Sequence, residues 1–300
     1  MIALIAGTGD LPAAILHRVQ NPVVVCALAG FTPNIDVDIS FRIERLGSFL
    51  QALHERGVTE ICMAGAIKRP PVDPAAIDAA TMPLVPRIQA AIAKGDDGAL
   101  REVIAIFEEH GFAIVAAHDI APDLLPPEGV PTQVQPSDWH KADAMVGQAT
   151  VATMGQGDIG QACVIRKGQV AAKEVADGTD AMLAKFHEEY RDGEEPNGLI
   201  AELSDFVGDA LKPILDKIKD TPPEAVTADD GILFKAPKPD QDRRADLPVI
   251  GFETVKGAAE AGLAGIVIEA GGVMVLDLPS VVETLDLHGM FLWVRPKGAV

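Results

Sequence analysis

Aromatic residues are scarce in this 300-residue chain: ten Phe, two Trp and one Tyr make up 4% of it, while 48% of its positions are hydrophobic. Its core must therefore be filled by Ala, Val, Ile and Leu, as in a layered α/β protein, and the length fits about two domains. Cysteine is equally sparse. Cys26, Cys62 and Cys163 are odd in number, far apart and without a C-x-x-C spacing, which argues against a disulfide framework or a zinc site and fits a reducing compartment. Positive charge is in deficit, with 25 Lys and Arg against 44 Asp and Glu. The net −19 repels nucleic acid and anionic lipid over most of the surface, so a phosphate-bearing ligand must meet a local cationic cluster. No apolar run approaches the roughly 20 residues that span a bilayer. The opening MIALIAGTGDLP has neither a basic n-region nor a small-residue cleavage site, so the expectation is a chain neither secreted nor inserted.

What is present is punctuated alternation. IALIAG (2–7) reads as a buried parallel strand, LPAAILHRVQ as a helix, PVVVCALAG (22–30) as a strand and LGSFLQALHERG as a helix ending at Gly57. EICMAG (60–65) supplies a third strand, GALREVIAIFEEHG (98–111) a helix, and FAIVAAHDI a strand-like run. Residues 1–130 therefore form a Rossmann-like doubly wound unit, with the Pro-rich 121–137 as a flexible linker. Residues 131–300 read as a distinct second α/β domain. They begin with a helix over 138–153, followed by two strands joined at Lys-Gly, a helix from GTDAML, the strand in GILFKAPKP and a final helix–strand set. Between them, residues 188–230 hold thirteen acidic against four basic side chains, and Ile200, Leu203, Val207, Leu211, Ile214 and Ile218 fall at helical spacing.

Several short stretches carry chemistry. GTGDLP (7–12) follows the first strand and opens the first helix, where backbone N–H groups can hold a phosphate or where the chain simply turns. It is not a dinucleotide fingerprint: Pro12 stands where the third glycine belongs, and no acidic residue ends the second strand. AGAIKRP puts Lys68 and Arg69 past a strand's carboxyl end, where open α/β sheets bind ligands and where loop cations also sit. Asp96 and Asp97 precede a helix, as Thr179 and Asp180 do, and capping accounts for some of them. REVIAIFEEHGF lacks the spacing of the Nudix acidic helix, with Ala93 in place of its upstream glutamate. The most concentrated signal is FKAPKPDQDRRADLPVIG (234–251), with four cations and three aspartates in eighteen positions.

Taken together and in order, LIAGTGDLP, AGAIKRP, KGDDGALREV, DIGQACVI, GTDAML and KAPKPDQDRRADLPVIG resemble segments of the LpxI-type UDP-2,3-diacylglucosamine pyrophosphatases of lipid A biosynthesis, across nearly the whole chain. The first motif departs from that family's usual Gly-Gly-Gly-x-Leu-Pro at Thr8, and the 188–230 insert is longer than the resemblance accounts for. The resemblance implies hydrolysis of the substrate's diphosphate to UMP and diacylglucosamine 1-phosphate and a requirement for Mg²⁺. The sparse, unpaired cysteines point to the cytoplasm, the two acyl chains of such a substrate to transient contact at the inner membrane surface, and the flexible Pro-rich linker to an exchanged-domain homodimer. Under it, Gly7, Gly9, Asp10, Leu11, Pro12, Lys68, Arg69, Asp97, Gln161, Thr179, Lys235, Gln241 and Arg244 are expected to bind substrate. Lys235, Lys238, Arg243 and Arg244 neutralise charge on the phosphate oxygens, with Lys238 counted among the catalytic groups. Asp246, then Asp180 and Asp242, are the carboxylates for holding Mg²⁺ or taking a proton. A non-catalytic carrier of an acylated nucleotide-sugar or lipid would share the cations but need no metal-holding carboxylate.

Overall fold

The computed structural model describes residues 1–67, 70–92, 95–191, 231–239 and 241–298. The chain divides into two compact units: Met1–Asp123 together with Gln241–Leu247, and Leu124–Asp240 together with Pro248–Val300. The helix expected over 200–218 lies outside the described residues.

The first unit is built on β1 (Ile2–Ala6), β2 (Val23–Leu28), β3 (Ile39–Phe41), β4 (Glu60–Ala64) and β5 (Ala113–Ile114). All neighbours are parallel and the order is β3-β2-β1-β4-β5, the doubly wound arrangement. β1 is buried at every position, as a central parallel strand covered on both faces must be. Its helices are α1 (Leu11–Leu16), α2 (Leu46–Glu55), α3 (Val85–Ile92), α4 (Gly95–Glu109) and α5 (Ala117–Ile120). Leu46, Phe49, Leu50 and Leu53 of α2 join Ile106 and Phe107 of α4 and the strand residues Ala3, Ile5, Cys26 and Ile61 in one core. FAIVAAHDI departs from its expected strand: only Ala113–Ile114 pairs with β4, and Ala117–Ile120 turns into a helix. Asp119 accepts the Ala116 N–H at 3.3 Å, a local side-chain bond that favours the helical turn over further ladder.

The second unit carries a mixed sheet, β12-β10-β8-β6-β7, of β6 (Ala162–Arg166), β7 (Gln169–Lys173), β8 (Gly231–Lys235), β10 (Gly265–Glu269) and β12 (Phe291–Arg295). β8, β10 and β12 are parallel, and β6 runs antiparallel to β7 and β8. A small ladder, β9 (Val249–Ile250) with β11 (Met274–Val275), stands beside it. Lys167 and Gly168, with φ of 52° and 75°, make the two-residue turn between β6 and β7 that positive φ at both places requires. Alternate strand residues feed two cores. Cys163, Ile165, Ile232 and Phe234 pack with Val151 and Met154 of α6 (Asp138–Gln156). Ala162, Val164, Leu233 and Ile266 pack instead with α7 (Thr179–Arg191), α8 (Phe252–Glu260) and α9 (Leu278–Leu287).

The Pro-rich stretch is not the free linker its composition implies. From Leu124 onward it belongs to the second unit. Gly129 exchanges both backbone hydrogen bonds with Val294 (3.0 and 2.9 Å), and buried Thr132 accepts the Leu292 N–H at 3.0 Å. Proline cannot extend a ladder, but a proline-rich segment can cover the open edge of β12 and satisfy some of its backbone groups.

Among the described residues no helix is long and apolar enough to cross a membrane. Cys26, Cys62 and Cys163 are free and buried.

Candidate active site

In the first unit, the carboxyl ends of the adjacent strands β1 and β4 carry the two loops singled out in the sequence, at the point where the strand order reverses. The loops are zipped together. Gly7 N–H donates to Ala64 O at 2.8 Å, and Thr8 and Ala66 exchange backbone bonds of 2.9 Å each. Gly7 has to be glycine: a Cβ there would stand 2.5 Å from Ala66 O. The amides of Gly7 and Thr8 are thereby committed to the protein, and α1 has only six residues, so the turn offers a ligand less N–H and less dipole than its sequence implies. Leu11 and Pro12 are buried in α1, while Asp10 is exposed and accepts from Asn34 Nδ2 at 3.4 Å. Lys68 and Arg69 lie outside the described residues. Asp97 is in the first turn of α4, with its side chain outside the description.

Residues 241–247 fold as a tight turn on this same unit. Ala245 and Asp246 both donate backbone N–H groups to Asp242 O, at 3.1 and 3.0 Å. Arg244 forks onto Asp242 through Nε (3.0 Å) and Nη2 (2.7 Å), and its Nη1 reaches Glu108 Oε1 on α4 at 2.6 Å. The guanidinium holds the Asp242 carboxyl below the ordinary carboxylate range, and both carboxylates push the Arg244 value up. Arg244 is thus a brace of the turn, and a phosphate would have to share it. Gln241 is buried and its side-chain amide donates to Asp246 Oδ2. Asp246 is half-buried.

In the second unit, β8 ends in Lys235, which is buried, and its ammonium donates to Thr179 Oγ1 at 2.8 Å and to Val249 O at 3.0 Å. Thr179 in turn donates to Glu174 Oε1 at 2.6 Å, and the other Glu174 oxygen accepts the Gln161 N–H at 2.6 Å. Since the one hydroxyl proton of Thr179 is directed at Glu174, the hydroxyl can only accept from a ligand. Asp180, next to it in the first turn of α7, is exposed. Lys238 forms an ion pair with Asp158, which stands in the left-handed region at φ 51°.

The structure therefore gathers Gln161, Thr179 and Lys235 in one network, and Gln241, Arg244 and Asp246 in another on the other unit. Glu174, Asp158 and Glu108 are the partners that sequence reasoning passed over. Only Asp158 left a local trace, an acidic residue at a Gly-flanked turn. The cysteines offer no nucleophile: burial pushes the Cys26 and Cys62 thiols up to about 12, and the Cys163 thiol is raised for the same reason.

Comparison with known proteins accounts for both units. Residues 1–124 match the LpxI N-terminal domain and residues 127–293 the LpxI C-terminal domain. The chain is similar to the UDP-2,3-diacylglucosamine pyrophosphatase LpxI of Caulobacter vibrioides, with 34% identity over 305 aligned residues that cover 99% of this chain and 98% of that protein.

Proposed function

The chain belongs to the LpxI family, and from that membership we propose that it hydrolyses the diphosphate of UDP-2,3-diacylglucosamine, releasing UMP and 2,3-diacylglucosamine 1-phosphate for lipid A biosynthesis. The observation that carries this reading is the end-to-end similarity to a pyrophosphatase of that specificity, which leaves neither unit unaccounted for.

The residues of the two networks suit the chemistry. Asp246 presents a half-buried carboxylate oriented by the Gln241 amide, a placement that serves to accept a proton from an attacking water or to hold a hard cation. Lys235 and Lys238 are cations at the carboxyl end of β8 and just beyond it, suited to neutralising non-bridging phosphate oxygens. Among the described residues no three His, Cys, Asp or Glu side chains stand together as a metal site. Mg²⁺ commonly takes one or two carboxylates and completes its shell with water and substrate phosphate, so single carboxylates such as Asp246 and Asp180 fit it as ligands. When bound, Mg²⁺ would supply charge neutralisation on the diphosphate and a more acidic water. A homodimer belongs to the same reading, and light scattering of the purified protein tests it.

The functional test is release of UMP from UDP-2,3-diacylglucosamine by the purified chain, with and without EDTA. Release that EDTA stops and Mg²⁺ restores supports the enzyme. Tight binding of the substrate with no release in either condition supports a carrier instead.

A further inference from the structure

Four residues of the second unit reach the same sheet edge by different routes. Lys235 ends β8, and Ala162, the first residue of antiparallel β6, sits opposite it in register, so Gln161 just before Ala162 lies at that edge. β7 runs back along β6 and ends at Lys173, opposite Cys163, which delivers Glu174 to the same place, and α7 starts from it at Thr179. This is also the carboxyl edge of the parallel strands β8, β10 and β12, where open α/β sheets take their ligands.

Glu174 is the hub. Its carboxylate accepts from the Gln161 backbone N–H and from the Thr179 hydroxyl, both at 2.6 Å, and Thr179 accepts from the Lys235 ammonium at 2.8 Å. Its own N–H donates to Ala162 O at 3.0 Å, and Gly160 passes so close that a Cβ on it would be 2.6 Å from Glu174 O. Glu174 and Lys235 are each only 6% exposed, and two buried charges of opposite sign persist where they are linked and hydrogen-bonded. The order of donors is fixed: ammonium to hydroxyl to carboxylate. A hydrophobic core has no need of such a chain, and Gln161, Thr179 and Lys235, which it fixes, are residues that the family resemblance implies bind substrate.

We propose that Glu174 is a positioning residue for turnover, fixing the Lys235 ammonium through Thr179 and the 157–161 turn through the Gln161 backbone N–H without itself touching substrate. The proposal rests on the functional reading above. Its test compares wild type, Glu174→Gln, Thr179→Val and the double variant in the full chain, with UMP release and urea unfolding followed for each. The expected result is a fall in kcat of about 10- to 100-fold in each single variant at little change in KM, since misplacing a reacting group by about 1 Å is enough for such a loss. The double variant is expected to lose no more than either single one, because both break the same chain. Thr179→Ser, which keeps the hydroxyl, is expected to regain turnover relative to Thr179→Val. A merely structural Glu174 would lower stability while each folded molecule kept the wild-type kcat, and that result overturns the proposal, as do losses that multiply in the double variant. If Glu174→Gln does not fold, Glu174→Asp, which keeps the charge but draws the carboxylate back from Thr179 and the Gln161 backbone N–H, decides by the same kcat. A wild type that releases no UMP overturns the functional reading and this proposal with it. An active wild type beside an equally active Glu174→Gln overturns this one alone.

Discussion

Gln241 donates its side-chain amide to the carboxylate of Asp246, five residues further on, across a turn closed by two backbone bonds to Asp242 O. The amide orients the carboxylate through this hydrogen bond. Asp246→Ala is expected to keep the fold and lose at least about 100-fold in kcat, since it removes a group that acts in the transition state. Gln241→Leu is expected to give a smaller loss in kcat. UMP release and far-UV circular dichroism check both, and near-wild-type release by Asp246→Ala would remove that residue from the mechanism.

The two lysines of the charged stretch differ in surroundings. Lys235 is buried against Thr179 and Val249 O, so Lys235→Ala leaves the Glu174 carboxylate without its buried counter-charge, a change that costs about 3–5 kcal/mol in comparable pairs. Lys238 is half-buried and paired with Asp158, and Lys238→Ala is expected to cost roughly 1 kcal/mol in stability. Its transition-state stabilisation should fall by about 1–3 kcal/mol, the range for a charge-assisted contact. Urea unfolding beside kcat/KM separates the two. Equal melting of both variants would contradict the assignment.

Acid should find a specific weak point in the first unit. Glu44 is buried, and the bond from Arg42 first and the Asp73 amide second pull its pKa from 4.5 to about 2, against the upward pull of burial. A depressed folded value means the stabilisation is complete above the unfolded value and is lost as pH falls from about 4.5 towards 2. Glu44→Gln is therefore expected to be destabilised by about 1–3 kcal/mol at pH 7, with the gap to wild type closing below pH 4.5. A gap that stays constant down to pH 3 in urea titrations would contradict this.

The three thiols should be silent in the native protein. Cys26, Cys62 and Cys163 are buried and held protonated, so an aromatic disulfide reagent at pH 8 is expected to label none of them before denaturant is added and all three afterwards. Fast labelling of the native chain would show that one of these sites opens.

The periods and the stops are legible in the residues alone. IALIA, VVVCAL and the ICMA of EICMA are continuous apolar runs, and the structure has β1, β2 and β4 there. The Lys-Gly turn and the helices beginning at Asp138 and Thr179 were also legible, because capping, turn chemistry and alternation act over a few residues. Ile39–Phe41 carries too short a pattern to announce β3, and FAIVAAHDI carries an apolar run whose second half a local side-chain bond turns helical. The Pro-rich stretch looked free because composition reports what a segment cannot pair with, not the edge it covers. Tertiary structure alone decided the partners. Glu174 reads as an ordinary polar strand end, and it becomes a hub only because the β6–β7–β8 register brings Gln161, thirteen residues before it, and Lys235, 56 residues beyond Thr179, to one edge. The four cations of 234–251 likewise could be counted from the sequence, whereas the carboxylates that engage Arg244 and Lys238 come from α4 and from the turn after α6 as well as from the stretch itself. Hydrophobic periodicity is a local property of the chain, while the pairing of buried charges depends on which distant segments the packed sheet places within hydrogen-bond reach.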